Sequence, residues 1–258
     1  MTRVVSVRLS VNVNKVATLR NSRGGNVPDL LEAVDVGLRA GALGITVHPR
    51  SDERHVRLAD VVALEERLRP VRGSVELNIE GDPRADLMDL VCQVRPHQCT
   101  LVPVRPGEVT SEAGWDPQGE HQDLGKTVER LKQHGVRVSM FIDPEPDAVR
   151  WAAQLGGDRI ELYTEPFARA FAAGAPAGKA SFAQYAAVAE LAHELGLGIN
   201  AGHDLDLENL VLFRRLPYLD EVSIGHALIS HALYVGLTRA VEDYLTVLRE
   251  GGSPNVAR

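Results

Sequence analysis

The chain has 258 residues, 44% of them apolar and 24% charged, with a formal net charge of −7. That composition is ordinary for a globular protein with a sizeable core, and α/β barrels of this length commonly fold as one domain. The overall negative field offers nothing to nucleic acid or to an anionic membrane surface, although a local basic patch could still hold a small anion.

The two cysteines, Cys92 and Cys99, supply neither a disulfide framework nor a metal-binding spacing. No apolar run approaches the roughly 18 residues of a membrane span. The opening MTRVVSVRLSV lacks an apolar h-region with a cleavage site, so a cytoplasmic protein is expected.

In chain order, short β-rich runs alternate with longer helical patterns. The predicted strands are VVSVRLSVNV, GITVH, SVELNI, CTLVP, VRVSMFI, RIELY, LGINA and EVSIG. The first runs into NKVATLRNSRGG, which predicts a strand end rich in amides and cations followed by a flexible basic loop, a place to hold an anion. In PDLLEAVDVGLRAG, Leu31, Val34 and Leu38 share one helical face with Asp35, Pro28 is expected in the first turn, and Gly41 lies just past the end. LADVVALEERLR, DLMDLVCQV, LGKTVERLKQHG, DAVRWAAQLG and SFAQYAAVAELAHELG are further helices, and ALISHALYVGLTRAVEDYLTVLRE is expected as one long final helix.

Alternation of strand and helix eight times implies parallel neighbours joined by crossovers. The expected fold is therefore a (β/α)8 TIM barrel, an α/β fold, with additional short helices. An open doubly wound sheet is the alternative, disfavoured because no GxGxxG run follows the first strand. The whole of 1–258 is expected to form one domain, with a frayed tail from about residue 251. The segment 163–180 is the one long connection, a short extra helix or a lid.

Chemistry in such a barrel belongs at the C-terminal strand ends. These carry Asn12, Asn14 and Lys15 after strand one, then His48, Arg50, Arg54 and His55 after strand two. Strand three ends in Asn78 and Glu80, strand seven in Asn200 and His203, and strand eight in Gly225 and His226. SIGHA opens directly into a helix, whose positive end suits phosphate. No HxH or HExxH pair supports a metal, and no nucleophile elbow or cofactor fingerprint is present.

The blocks VNVNKVATLRNSRGG, GITVHPRSDERH, ELNIEGDP, PHQCTLVP, EVTSEAGWD, INAGHDL and SIGHALI, in that order, resemble the pyridoxine 5′-phosphate synthase family from about Leu9 to about Leu248. The resemblance implies a (β/α)8 barrel assembled as a homo-oligomer, typically an octamer, without a cofactor. It implies condensation of two small phosphorylated substrates, 3-amino-2-oxopropyl phosphate and 1-deoxy-D-xylulose 5-phosphate, to pyridoxine 5′-phosphate, phosphate and water. Carried over by position, the catalytic bases are His48 and Glu80 and the proton donor is His203. The amino-ketone phosphate would be lined by Asn12, Arg23, Asp204, Gly225 and His226. The deoxyxylulose phosphate would be lined by Asn14, Lys15, Arg50, His55 and Thr110.

Three departures accompany the resemblance. Many members have Asp-His where this chain has Asn14-Lys15, and the exchange removes a negative charge from a site meant for anions. Gly often follows the catalytic histidine where this chain has Asp204. The segment before Glu80 is longer than in some members, so its placement rests on NIEG, with Glu76 the alternative. Two other activities fit the residues alone: an aldolase or isomerase of the same fold, with Lys15 as the amine of a Schiff base, and a phosphometabolite sensor without catalysis.

Overall fold

The computed structural model describes residues 7–104, 111–121 and 123–249. Eight strands, β1 (Arg8–Asn12), β2 (Gly44–Val47), β3 (Glu76–Gly81), β4 (Gln98–Leu101), β5 (Arg137–Ile142), β6 (Arg159–Tyr163), β7 (Gly198–Gly202) and β8 (Leu219–Ile224), pair in sequence order. Every pairing is parallel, and β8 returns to β1 through Val11↔Ile224, closing the barrel. This is the (β/α)8 barrel expected from the alternation of strand and helix patterns. Among the described residues no helix is long and apolar enough to cross a membrane.

The barrel wall is apolar outside and polar inside. Leu9, Val11, Ile45, Leu77, Ile79, Val138, Met140, Ile160 and Ile199 are fully or almost fully buried in the main core, to which the surrounding helices contribute. The alternate positions form a ladder of buried polar side chains. The Ser10 and Thr46 hydroxyls lie 2.7 Å apart, and the Thr100 hydroxyl lies 3.1 Å from Asn78 Oδ1 and 3.3 Å from Glu161 Oε2. Below it, Asn200 accepts from Arg159 at 2.6 Å and donates to Gln98 at 3.3 Å. At the N-terminal end Glu76 is clasped by Arg8 and Arg137, and Arg8 also faces Glu221 at 3.5 Å. Bulky branched side chains usually fill this space; here hydrogen bonds and ion pairs replace them, so each member needs a partner.

The crossovers are carried by α2 (Leu30–Arg39), α3 (Leu58–Leu68), α4 (Ala85–Val94), α5 (Leu124–Gln133) and α6 (Pro146–Gln154). The extra and later helices are α1 (Asn14–Asn21), α7 (Glu165–Ala172), α8 (Ala175–Glu194), α9 (Leu210–Phe213), α10 (His226–Val235) and α11 (Leu237–Arg249), with a 3₁₀ turn at Arg69–Val71.

Three sequence expectations are corrected. Asn14 to Asn21 is a helix and not a flexible loop; its buried Arg20 is tied down by Asp60 at 2.7 Å, and the turn with Gly24 at φ +72° follows it. Pro28 precedes the helix, because Asp29 is the N-cap, accepting from Leu31 and Glu32 at 2.8 and 3.3 Å. The long final helix is two helices broken at Gly236, whose φ of +83° no helical residue adopts. The segment 163–180 holds α7 and the first turns of α8, so the extra-helix reading holds over the lid. The expected tail from 251 and the residues before Val7 lie outside the described residues.

α7, α8 and α9 meet through aromatic rings. Phe167, wholly buried, has ring centroids of Phe213 at 4.9 Å, Phe171 at 5.9 Å and Tyr185 at 6.1 Å. Phe167→Ala empties that centre and is expected to lower unfolding free energy by about 3–5 kcal/mol, measured by urea denaturation. A loss below about 1 kcal/mol would mean the cluster does not hold the three helices together.

Candidate active site

The C-terminal strand ends gather most of the singled-out residues. Asn12 closes β1, and its Oδ1 accepts from the Asn14 backbone N–H at 3.0 Å. Asn14 in turn accepts from the His48 backbone N–H at 2.9 Å, so the end of β1 fixes the start of the loop after β2. That loop folds Arg50 and His55 inward to 8% and 9% exposure, with the His48 and His55 rings edge to face at 5.9 Å. Glu80, the penultimate residue of β3, brings Oε2 within 3.9 Å of His48 Nδ1. The alternative Glu76 belongs to the opposite end of the barrel, in the Arg8 and Arg137 clasp.

From the other side, His203 follows β7 with its ring between Phe141 at 5.1 Å and Tyr163 at 5.4 Å. Gly225 lies against Asn12, since a Cβ there would stand 3.2 Å from the Asn12 side chain. It caps α10, whose first residue, the exposed His226, begins a turn of amides without helical partners. Exposed Lys15 opens α1 close enough for its charge to depress the pKa of both His55 and His203.

Arg23 lies exposed just beyond the far end of α1. Thr110 lies outside the described residues. Asp204 has a φ of +57° and follows His203 at +79°, a conformation that suits the glycine common there in the resembling family. Its exposed side chain leaves the backbone amide unobstructed on that account.

Charge is scarce in the pocket walls. Burial, then the neighbouring charges of His55 and Arg50, hold His48 well below its usual pKa. Burial and Arg50 bring His55 down to about 4, and burial lowers His203 as well. Burial drives Glu80 well above the carboxylate range, reinforced by the negative charges of Glu161 and Glu221. Burial thus disfavours the charged form of both His48 and Glu80, whose Nδ1 and Oε2 stand 3.9 Å apart, too far for a direct hydrogen bond. Among the described residues His48 Nε2 and His55 Nδ1 are buried without a hydrogen-bond partner, and such atoms call for a polar ligand.

Glu161 is the residue the sequence reading missed. It sits on β6 inside the barrel, 2% exposed, and burial with the Glu221 charge raises it to about 7. Gly202 on the adjacent strand makes room for it: a Cβ there would meet Glu161 Oε1 at 2.6 Å. The signal was available, since an acid in a strand buried on both faces, as in RIELY, needs a reason. Among the described residues no three His, Cys, Asp or Glu side chains are grouped to hold a metal ion.

Between its ordinary 4.5 and its folded value of about 7, Glu161 binds a proton in the folded chain and not in the unfolded one. Its contribution to stability is thus present at low pH and lost as pH rises through about 7. Glu161→Gln, which stays neutral, is expected to flatten that decline when unfolding is compared at about pH 5 and about pH 8. Parallel declines in both proteins would show that Glu161 titrates normally.

Residues 9–250 match the family model described as pyridoxal phosphate biosynthesis protein PdxJ. The pyridoxine 5′-phosphate synthase of Christiangramia forsetii is 51% identical over 94% of this chain and 99% of its own length. That of Porphyromonas gingivalis is 52% identical over 92% and 97%. Among solved structures, a thiamine phosphate pyrophosphorylase from Pyrococcus furiosus superposes with a TM-score of 0.62 at 12% identity, covering 96% of this chain and 98% of that one. Tryptophan synthase from M. tuberculosis gives 0.62 at 13%, covering 95% and 94%, and both likenesses concern the barrel alone. With the family model spanning nearly the whole chain and relatives half identical to it, this chain belongs to the PdxJ family of pyridoxal phosphate biosynthesis proteins.

Proposed function

We propose that this chain is a pyridoxine 5′-phosphate synthase, joining 3-amino-2-oxopropyl phosphate to 1-deoxy-D-xylulose 5-phosphate by acid–base chemistry. The observation that carries the reading is the meeting of His48, Glu80 and His55 at one barrel mouth, with two buried ring nitrogens unserved by the described residues. The homologues of that name support it at the level of the whole chain.

The reaction needs an amine to attack a ketone, water to leave, a carbon–carbon bond to close a ring, and phosphate to depart. Each step moves protons near neutral pH, which imidazole and a carboxyl of raised pKa can do. The neutral Glu80 acid can first protonate the ketone oxygen as the amine adds, and the resulting carboxylate is then a base. His48, uncharged in its pocket, accepts a proton directly. His203 starts neutral as well. A bound phosphate dianion nearby raises its proton affinity, which makes it a donor only once substrate is present.

Phosphate groups remote from the reacting atoms hold the two molecules in place and offset the entropy of bringing them together. Asn12, Asp204, Gly225 and His226 suit the amino-ketone phosphate, at the start of α10, with Arg23 assigned to it by resemblance. Asn14, Lys15, Arg50 and His55 suit the other, with Thr110. The same reading carries a cytoplasmic enzyme assembled as an octamer. The strongly exposed Leu233 and Tyr234, at 72% and 88%, and Leu19 are apolar surface that association would cover.

Incubation with both substrates is expected to yield a pyridine chromophore and one phosphate for each ring formed. Release of neither would reject the reading. Glu80→Gln should abolish turnover while both substrates still bind, by calorimetry; retained turnover removes Glu80 from the chemistry. Arg23→Ala should raise KM more than it lowers kcat, and an unchanged KM takes Arg23 out of the site.

A further inference from the structure

The turn that carries His203 is held in a conformation its residues do not favour. His203 and Asp204 both have positive φ, +79° and +57°, and neither is glycine. Such backbone persists where surrounding contacts fix it, and here those contacts come from the adjacent strand.

Thr164, the residue after β6, has no exposed surface. Its backbone N–H donates to the Gly202 carbonyl at 3.0 Å, extending the β6–β7 ladder by one step. Its hydroxyl lies 2.6 Å from the same carbonyl and closer still to the carbonyl of His203. Consecutive carbonyls of a strand point opposite ways; the left-handed turn at His203 brings these two to one hydroxyl. Since the Thr164 amide already serves Gly202, the hydroxyl proton is available to His203.

The preceding residue fixes the ring. Tyr163 lies edge-on to the His203 imidazole, with ring centroids 5.4 Å apart, and Phe141 flanks it at 5.1 Å. Tyr163 is itself anchored, because the buried Tyr185 phenol on α8 donates to its carbonyl at 2.5 Å. Backbone and ring of His203 are thus gripped by two successive residues at the end of β6.

We propose that Thr164, together with the Tyr163 ring, is a positioning residue for proton transfer by His203, clamping its backbone turn so that the imidazole stays at the mouth shared with His48 and Glu80. The clamp rests on the role given to His203 above. The clamped turn also carries Asp204, so loss of the clamp falls on the chemical step and on the amino-ketone phosphate, and not on the residues after β1 and β2 that suit the other substrate.

The test pairs Thr164→Val, which keeps the shape without the donor, with Thr164→Ser, which restores the donor. Thr164→Val is expected to lower kcat on the order of a hundredfold, the effect of a misplaced catalytic group, with KM for the deoxyxylulose phosphate little changed. Thr164→Ser should recover most of the rate. In ring-labelled protein without substrate, the His203 imidazole resonances should move in the valine variant and return in the serine variant. Wild-type kcat in Thr164→Val, or equal losses in both variants, would overturn the proposal. If circular dichroism shows Thr164→Val unfolded, Tyr163→Leu replaces it: His203 resonances and kcat that match wild type would overturn the clamp, and displaced resonances with reduced kcat would support it. Wild-type protein that forms no chromophore would instead refute the proposed function, while the His203 resonances would still judge the clamp.

Discussion

The constraint on which the rest depends is the polar filling of the barrel. Buried polar atoms without partners cost stability, so the interior works only as a connected set. Thr46, Asn78, Thr100 and Glu161 link strand to strand across the middle. Arg8, Glu76, Arg137 and Glu221 close the floor. Because cations are concentrated at the floor, the carboxyl groups above it are left without a counter-ion. The arrangement that neutralises one end thereby raises the proton affinity at the other.

Glu76 and Glu80 show the two outcomes on a single strand. They share a side of β3, two pleat repeats apart. Glu76, between two guanidinium groups, titrates down to about 2 despite its burial. Glu80 meets burial and two further acids, and moves the opposite way. The same residue type is an ion-paired anchor at the floor and a carboxyl of raised proton affinity at the mouth. What separates the roles is the company each carboxyl keeps.

Much of this was legible in the chain itself. The alternation of strand and helix patterns led to the closed barrel, and the strand-end rule placed His48, Glu80, His203 and Gly225 at one face. The helix after β1 was not legible, because NKVATLRN has weak amphipathic character and owes its place to Arg20 reaching Asp60 in a distant helix. The break at Gly236 was hidden for the reverse reason: the residues on both sides favour helix strongly enough to mask one glycine. Glu161 is hard to single out because RIELY reads first of all as a strand. In a parallel barrel both faces are covered, so alternating polarity there also announces a polar interior.

Gly202 and Glu161 add a consequence for how such a chain can vary. The carboxylate oxygen occupies the space that any side chain at 202 would need, with 2.6 Å between them. The two positions are coupled: a methyl group at 202 would push the Glu161 carboxyl aside and away from the Thr100 hydroxyl it faces. Substitutions at the two sites are therefore not expected to add.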